Sequence, residues 1–527
     1  MNFDDIRRRL HEAEGNPELL ALATLDFVLS EYPPDIRLLV ESAAIPRWFD
    51  HEILARMRGW KSEPTADDWA TLIELPFIES FQAKRGFNVH QVTRLALRRK
   101  IRTENPARFK RLSTIAAEIW NGEDTSTRVE HIYHQLSASP LDGSDLLEKT
   151  YWKWRRAGKL ERVQQLGAVL DELATFPLAD FAKGRVLLIR GCARQSRIPL
   201  NELQDTVNEA IGLLVQTGPQ SSLADAYFVL GTISEKKGEL RAALASFQTA
   251  KRIMEALTGA EPTNPDLQRE LSVSHNAIGW IYKAQGKLEK ALDEFQAARL
   301  IREALTVQDP ANSDWQRDLS VSHNAFGRIY QSQGKLEKAL DEFQADKRIM
   351  EGLTAQDPAN SDWQREFSVS HYAIGHIYQS QGRLPEALAE FQEYKRIIEA
   401  LTAMDPANSD WQRDLAMSYS NVGRIYQSQG EYEKALAELQ KYKRIMQTLT
   451  ALDPANFDWQ RDLSVAHNAI GSIYQSRGRL TEALTELECD LAIAQRLARL
   501  DPTNLEWQED LRVSAATVEA LRKKIQE

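Results

Sequence analysis

The chain has 527 residues, 43% of them hydrophobic and 27% charged, with a formal net charge of -10 at pH 7. Excess acid argues against a general binder of polyanions, and two cysteines far apart, Cys192 and Cys489, argue against a disulfide framework and for a reducing compartment. No apolar run approaches the roughly 20 residues that cross a bilayer, and residues 1–10 are charged and polar with no secretory-type apolar stretch, so the expected location is the cytoplasm.

Residues 2–30 read as two helices, the second with an apolar body of Leu19, Leu20, Leu22, Leu25, Phe27 and Val28, broken by Pro33-Pro34. Helices are expected over 35–44 and 50–57, with a turn around Pro46 between them. A linker over 62–65 leads to a helix over 66–75 and a β-hairpin over 77–89 that turns near Lys84-Arg85-Gly86. Helix, helix, helix and hairpin in this order is a winged-helix pattern.

Three segments, Ile45-Pro46-Arg47-Trp48-Phe49-Asp50, residues 72–79 and Val89-His90-Gln91-Val92-Thr93-Arg94, resemble the winged-helix module of STAND NTPases, the signalling ATPases that include NOD-like receptors. The resemblance covers roughly residues 20–120. It implies that His90 matches the histidine of a Met-His-Asp type motif, which in that family reads the nucleotide on a preceding ATPase domain. Gln91 stands where the Asp would be, and the sequence holds no G-x-x-x-x-G-K-[ST] loop to cradle a triphosphate. His90 has two readings: a sensor of nucleotide or partner, or a histidine that caps the helix beginning near Gln91 or packs under the wing. The chain taken alone favours the second.

Residues 94–111 carry Arg94, Arg98, Arg99, Lys100, Arg102, Arg108, Lys110 and Arg111. On a winged helix such a run could meet DNA phosphates. Leu95, Leu97, Ile101, Phe109 and Leu112 alternate with it at helical spacing, so it reads equally as the solvated face of two helices or as cations paired to acids elsewhere. Helices are expected over 128–136, 146–156, 161–176, 179–194 and 203–217, with turns at Pro140-Leu141-Asp142-Gly143, Ala157-Gly158, Pro177 and Pro199. His131 and His134 have an i, i+3 spacing but no visible third ligand, which makes them ordinary helix histidines. Cys192 falls inside a helix with no neighbouring histidine and is a poor nucleophile.

From Gly231 onward the chain repeats itself every 48 residues, marked by Gly231, Gly279, Gly327, Gly375, Gly423 and Gly471. In the same phase lie Glu261-Pro262 and the Asp-Pro pairs at 309, 357, 405, 453 and 501, and the tryptophans at 315, 363, 411, 459 and 507. One unit reads as two helices. The first holds Ala325, Phe326, Ile329 and Tyr330 and stops at Gly334; the second holds Leu336, Ala339, Leu340, Phe343, Ile349 and Leu353 and closes at Asp357-Pro358. Ser361 with Gln364, like Ser313 with Gln316 and Ser409 with Gln412, reads as a capping box opening the next unit.

The run Gly327, Tyr330, Gly334, Ala339, Phe343 resembles the tetratricopeptide (TPR) pattern of paired antiparallel helices, lengthened from about 34 residues by roughly four helical turns. The resemblance implies long-armed hairpins and a deep groove. On the first helix, the inner positions of a TPR-like unit fall on Asn276, Asn324, Tyr372, Ser420 and Asn468, then on Trp280, Arg328, His376, Arg424 and Ser472, then on Lys283, Gln331, Gln379, Gln427 and Gln475. The second set changes from each copy to the next while Ile281, Ile329, Ile377, Ile425 and Ile473 beside it stay fixed. Either a recognition groove centred on Arg328, His376 and Arg424 or drift among solvent-facing residues produces that contrast. On the second helix, the small Ala250 and Ala298 give way to Asp346, Tyr394, Tyr442 and Asp490, which are expected to splay the later hairpins or point outward. The tryptophans share one register and are expected to pack between units. A last helix over 505–526 is expected to cap the array.

The whole reads as an all-α, TPR-like solenoid with an N-terminal winged-helix-like module. Its expected divisions are 1–19, 20–121 (winged helix), 122–221 (irregular hairpins), 222–503 (the array) and 504–527. The expected function is non-enzymatic: a bacterial signalling or defence adaptor that holds a protein or peptide in the groove and addresses a separate protease, nuclease or ATPase. A winged-helix DNA-binding regulator with a TPR sensing domain is the alternative. No metal and no cofactor are expected, because nothing assembles a nucleophile, a metal set or a phosphate loop.

Overall fold

Helix-forming runs separated by Pro, Gly and Asn stops give the described residues 24 α-helices and one β-hairpin, an all-α solenoid of TPR-like hairpins. The computed structural model describes residue 8 and residues 11–58, 64–122, 124–156, 159–174, 176, 178–195, 197–218 and 220–527. The chain forms two compact units, Met1–Leu267 and Gln268–Glu527. The expected first helix and the turns at Ser62, Ala157-Gly158 and Pro177 lie largely or wholly outside the described residues.

In the first unit, α1 (Pro17–Ser30) starts where Asn16 accepts the N–H groups of Glu18 and Leu19. Then come α2 (Pro34–Ala43), α3 (His51–Met57) capped by Asp50, and α4 (Ala66–Ile73) with a Thr65/Asp68 capping box. Strands β1 (Ile78–Phe81) and β2 (Gly86–Val89) pair antiparallel with Ile78 opposite Val89, and Arg85 turns between them at φ 53°. Three helices and a hairpin thus follow in the order expected. Leu39, Val40, Phe49, Leu54 and Leu72 fill the space between them.

The basic run lies on α5 (Gln91–Glu104) and α6 (Pro106–Ile119), and much of it faces inward. Arg94 donates to Tyr133 Oη at 2.9 Å and to Glu172 at 2.5 Å. Arg98 is wholly buried, bonded to Ser137 Oγ at 2.8 Å and to the Ile45 carbonyl. Arg99, Lys100 and Arg108 pair with Glu18, Asp26 and Glu41. Of the readings open for this run, pairing to acids elsewhere describes Arg94, Arg99, Lys100 and Arg108, while Arg98 meets neutral oxygens.

Next are α7 (Thr125–Ala138), α8 (Pro140–Arg156), α9 (Leu160–Ala174), α10 (Asp180–Arg194), α11 (Leu200–Leu214), α12 (Ser221–Lys236) and α13 (Leu240–Ala260). The turn expected at Pro140–Gly143 is instead the first turn of α8, with Pro at its first position where a missing N–H costs nothing. Ser139 alone separates α7 from α8. A Cβ on Gly143 would lie 2.4 Å from the Leu136 nitrogen, so the sharp crossing needs glycine there.

The second unit is built from α14 (Pro265–Ala284), α15 (Leu288–Gln308), α16 (Ser313–Ser332), α17 (Leu336–Gln356), α18 (Ser361–Ser380), α19 (Leu384–Met404), α20 (Ser409–Ser428), α21 (Tyr432–Leu452), α22 (Phe457–Ser476), α23 (Leu480–Leu500) and α24 (Leu505–Gln526). First helices have 20 residues and second helices 21 in the full hairpins, the long arms that the repeat length implies. Gly334, at φ 71°, ends α16 as expected, with the Lys335 N–H reaching back to the Tyr330 carbonyl at 2.8 Å. The marker glycine has a different task. A Cβ on Gly327 would lie 2.5 Å from the ring of Phe343, so the ring packs directly on backbone.

The helix openings depart from expectation by one residue. The caps are Asn312, Asn360, Asn408 and Asn456, whose Oδ1 atoms accept the N–H groups of Trp315, Trp363, Trp411 and Trp459 at 3.1–3.2 Å. Ser313, Ser361 and Ser409 are the first helical residues and cap nothing. Gln316, Gln364 and Gln412 bind the carbonyls of Pro310, Pro358 and Pro406 and so brace the turn. The tryptophans do pack between units: Trp411 on Ile397 and Leu401, Trp459 on Tyr442 and Met446, Trp507 edge-on to Phe457 at 5.6 Å.

The outward placement expected for Asp346, Tyr394, Tyr442 and Asp490 is corrected: all four are buried. Tyr394 and Tyr442 point in because their hydroxyls find acceptors, the carbonyls of Asp414 and Asp462, at 3.1 and 2.8 Å. The aspartates point in because serine and asparagine donors satisfy them.

Two ladders of ion pairs join neighbouring hairpins. Arg269, Arg317, Arg365, Arg413 and Arg461 each bind the acid 49 residues on, namely Asp318, Glu366, Asp414, Asp462 and Asp510. Arg299, Lys347, Lys395 and Lys443 each bind the glutamate 43 residues on, Glu342, Glu390, Glu438 and Glu486. Three of those glutamates also meet a histidine of their own hairpin: His323 Nδ1 lies 2.6 Å from Glu342, His371 Nδ1 2.5 Å from Glu390 and His467 Nδ1 2.6 Å from Glu486.

Candidate functional site

The marker glycines fix the register of the first helices. Residues three before, one after and four after each glycine lie a turn apart on one face. In the second unit that face lines a cavity of ≈570 Å³. Gln379 of α18, Arg424 and Gln427 of α20, Asn468 and Ser472 of α22, and Asp510 and Ser514 of α24 form its walls, so four successive first helices open on one space.

Its charges are arranged in depth. Asp490 of α23, 3% exposed, sits at the base and accepts from Ser464 Oγ, from Ser514 Oγ at 2.8 Å and from Asn468 Nδ2 at 3.1 Å. Arg461 is held by Asp510 and Glu506, both at 2.7 Å. Arg424 is exposed and forms no salt bridge among the described residues. The site therefore offers amide donors and acceptors along its walls, one uncompensated guanidinium and a buried carboxylate.

Of the inner-face residues singled out in the sequence, Gln379, Arg424, Gln427, Asn468 and Ser472 meet in this cavity. The others do not line it. Arg328 donates to Asn324 Oδ1 at 2.8 Å, and Asn324 in turn donates to buried Asp346 at 3.3 Å. Tyr372 and His376 are locked in a ring cluster, 4.5 Å apart, with His376 edge-on to Phe391 at 5.1 Å. Burial pushes the His376 imidazole below its usual value, against a hydrogen bond to Gln379 and with a smaller push from Arg424. Trp280 packs edge-on to Phe295 at 5.2 Å, with the Lys283 ammonium the same distance from its ring. Asn276 is half-buried with an unpartnered Oδ1, and Gln331 is half-buried.

Sequence reasoning missed Asp490, Ser464, Ser514, Arg461 and Asp510. The replacement of alanine by aspartate at 346 and 490 was the available signal, together with the asparagine 22 residues before each.

In the first unit, His90 occupies the cap position of α5, but its side chain caps nothing and is exposed; neither capping nor packing under the hairpin describes it. His134 is buried and stacked on Trp120 at 5.0 Å, and burial holds it well below the usual imidazole value. His131 Nδ1 lies 2.7 Å from the Ala117 carbonyl. Burial pushes the Cys192 thiol up to about 12. No group of three His, Cys, Asp or Glu suited to a metal occurs among the described residues, and none of the described helices is long and apolar enough to cross a membrane.

The profile of the tetratricopeptide repeat family matches residues 415–445, on α20 and α21, and with the helical-hairpin architecture this defines the class of fold. No curated protein matches the chain. Among solved structures, a Signal Transduction ATPase with Numerous Domains (STAND) protein with a tetratricopeptide repeat sensor, from Pyrococcus horikoshii, is similar with a TM-score of 0.52 at 12% identity, over 100% of this chain and 71% of that one. The apo form of RapI gives 0.42 at 12% identity over 60% and 99% of the two chains. A Rap protein complexed with competence and sporulation factor gives 0.43 at 14% identity over 73% and 99%. At these identities the likeness is one of fold.

Proposed function

We propose that the chain is a non-enzymatic sensor or adaptor arm. It binds a peptide or protein along the first-helix faces of the second unit and passes occupancy to a separate effector, a protease, nuclease or ATPase, in a bacterial signalling or defence system. The observation that carries this reading is the cavity walled by four successive first helices, with amide side chains for an extended backbone and the unpaired Arg424 for an acidic group. The STAND protein's repeat sensor supports the analogy at the level of fold only. A DNA-binding reading of the first unit has less support, because Arg94 and Arg98 are buried in internal networks.

The test is a pull-down with immobilised full chain, comparing wild type with a variant in which the cavity residues Gln379, Arg424 and Gln427 are all replaced by alanine. Partners retained by wild type are expected to be lost from the variant. Retention of every partner would count against the groove.

A further inference from the structure

The second unit builds one polar niche three times, and the copies differ in what closes it. At Asp346, Ser320 and Ser370 converge from 26 residues before and 24 after, and Asn324 adds its amide. Arg328 then covers that niche, its Nε on Asn324 Oδ1 at 2.8 Å. At the matching position 298 the residue is alanine, and Arg302, one turn on and 3% exposed, fills the space, with Nε 3.1 Å from Ser272 Oγ and Nη1 2.9 Å from Ser322 Oγ. The third niche repeats the first, with Asp490 held by Ser464, Ser514 and Asn468. The position equivalent to Arg328 is now Ser472, and the ≈570 Å³ cavity opens over it.

Two niches are thus filled or covered by the chain's own guanidinium. In the third, the Asn468 amide donates to a buried carboxylate, which polarises it and makes Oδ1 a stronger acceptor. No described residue donates to that oxygen. We propose that this cavity takes a guanidinium from outside, an arginine side chain of the bound partner, seated on Asn468 Oδ1 with the charge of Asp490 beneath; this rests on the reading that the face holds a peptide or protein. A planar fork of five donors can use Asn468, Gln427 and Ser472 together, which a lysine ammonium matches less well. Arg461 on the cavity wall is already compensated by Asp510 and Glu506, whereas Arg424 is not, so the preferred arginine is accompanied by an acidic group.

The test is calorimetric titration of the full chain with N-acetyl-arginine amide, which has no carboxylate to engage Arg424, and with its uncharged isostere N-acetyl-citrulline amide. The arginine probe is expected to bind at a single site, at least about tenfold more tightly than the citrulline probe, as loss of a charge-assisted hydrogen bond dictates. Ser472→Arg, which copies the Arg328 arrangement, is expected to abolish binding in a folded protein. Arg328→Ser, which uncovers Asp346, is expected to add a second site. Absence of binding by wild type, equal binding of the two probes, or a Ser472→Arg protein that still binds would overturn the inference. So would an Arg328→Ser protein that keeps one site. Failure of the probe leaves the peptide reading standing; partners retained in the pull-down while the probe binds does the reverse.

Discussion

Replacing Asn312, Asn360 and Asn408 by alanine removes the acceptor of three helix-opening hydrogen bonds, to the N–H groups of Trp315, Trp363 and Trp411 at 3.1–3.2 Å. The caps are extended, with ψ near 100°, and each of the three N–H groups lacks an intrahelical partner without its cap. An asparagine cap changed to alanine costs about 1 kcal/mol, and three caps on separate hairpins with no shared partner add to about 3 kcal/mol. Ser313, Ser361 and Ser409, one residue on, are expected to cost within about 0.5 kcal/mol each on replacement by alanine. The chain has already replaced that serine: Phe457 stands in its position in α22 and Leu505 in α24, and Asn456 and Asn504 still cap Trp459 and Trp507. Urea unfolding followed by circular dichroism separates the two triple variants, with a lower midpoint expected for the asparagine set and wild-type behaviour for the serine set. A serine variant as unstable as the asparagine variant would refute the assignment of the caps.

Gly327→Ala places a methyl 2.5 Å from the fully buried Phe343 ring, and overpacking of this kind costs about 1–3 kcal/mol. Part is expected to return with Phe343→Leu, the residue type facing Gly423 and Gly471, as read by thermal denaturation. The second unit is also expected to lose stability in acid. Burial alone raises the Glu342, Glu390 and Glu486 carboxyls, but bonds from His323, His371 and His467 and the neighbouring Arg299, Lys347 and Lys443 more than offset it and hold all three low. A carboxyl lowered by folding contributes stability above its unfolded value of 4.5, and that contribution is lost as the pH falls through the folded value. Replacing the three histidines by glutamine is expected to flatten this acid limb in stability measured from pH 7 downward.

Period and punctuation were legible because local backbone rules fix them. Gly334 needs a left-handed turn, proline after aspartate ends a helix, and the last helix falls on the residues expected. The caps were misread by one residue because Asn360 and Ser361 are both good caps, and only backbone geometry chooses; Phe457 in the serine position was the clue. Asp346 and Asp490 were expected to splay the hairpins or point outward because larger residues there replace a small one; a buried carboxylate is costly without donors, and here donors are present. Those donors arrive from 26 residues before and 24 after, a distance that helical periodicity does not sample. Serines at those two spacings do not mark the aspartates by themselves, since Ser368 and Ser418 flank Tyr394 in the same way and Ser272 and Ser322 flank Ala298. The first ladder was hidden similarly, since each of its arginines sits next to an acid in the sequence and pairs with the acid of the following copy.

The ladders and the niches divide the work of the second unit. Ladder residues keep their charge from copy to copy; pairs such as Arg365 with Asp414 and Arg413 with Asp462 are partly exposed and contribute at most about 1 kcal/mol each, whereas Arg269 with Asp318 is buried. Niche residues vary from copy to copy: Asp346 and Asp490 take an asparagine and two serines, Arg302 takes the two serines beside Ala298, Tyr394 packs on Tyr372, and Tyr442 lies in a cluster with two alanines. In a solenoid each hairpin contacts only its neighbours, so exchanging one set disturbs two interfaces and leaves the rest intact. A scaffold with that property can vary one niche at a time. Serine at 472 where arginine stands at 328 is such a change, and it converts a closed internal contact into a surface that another molecule can complete.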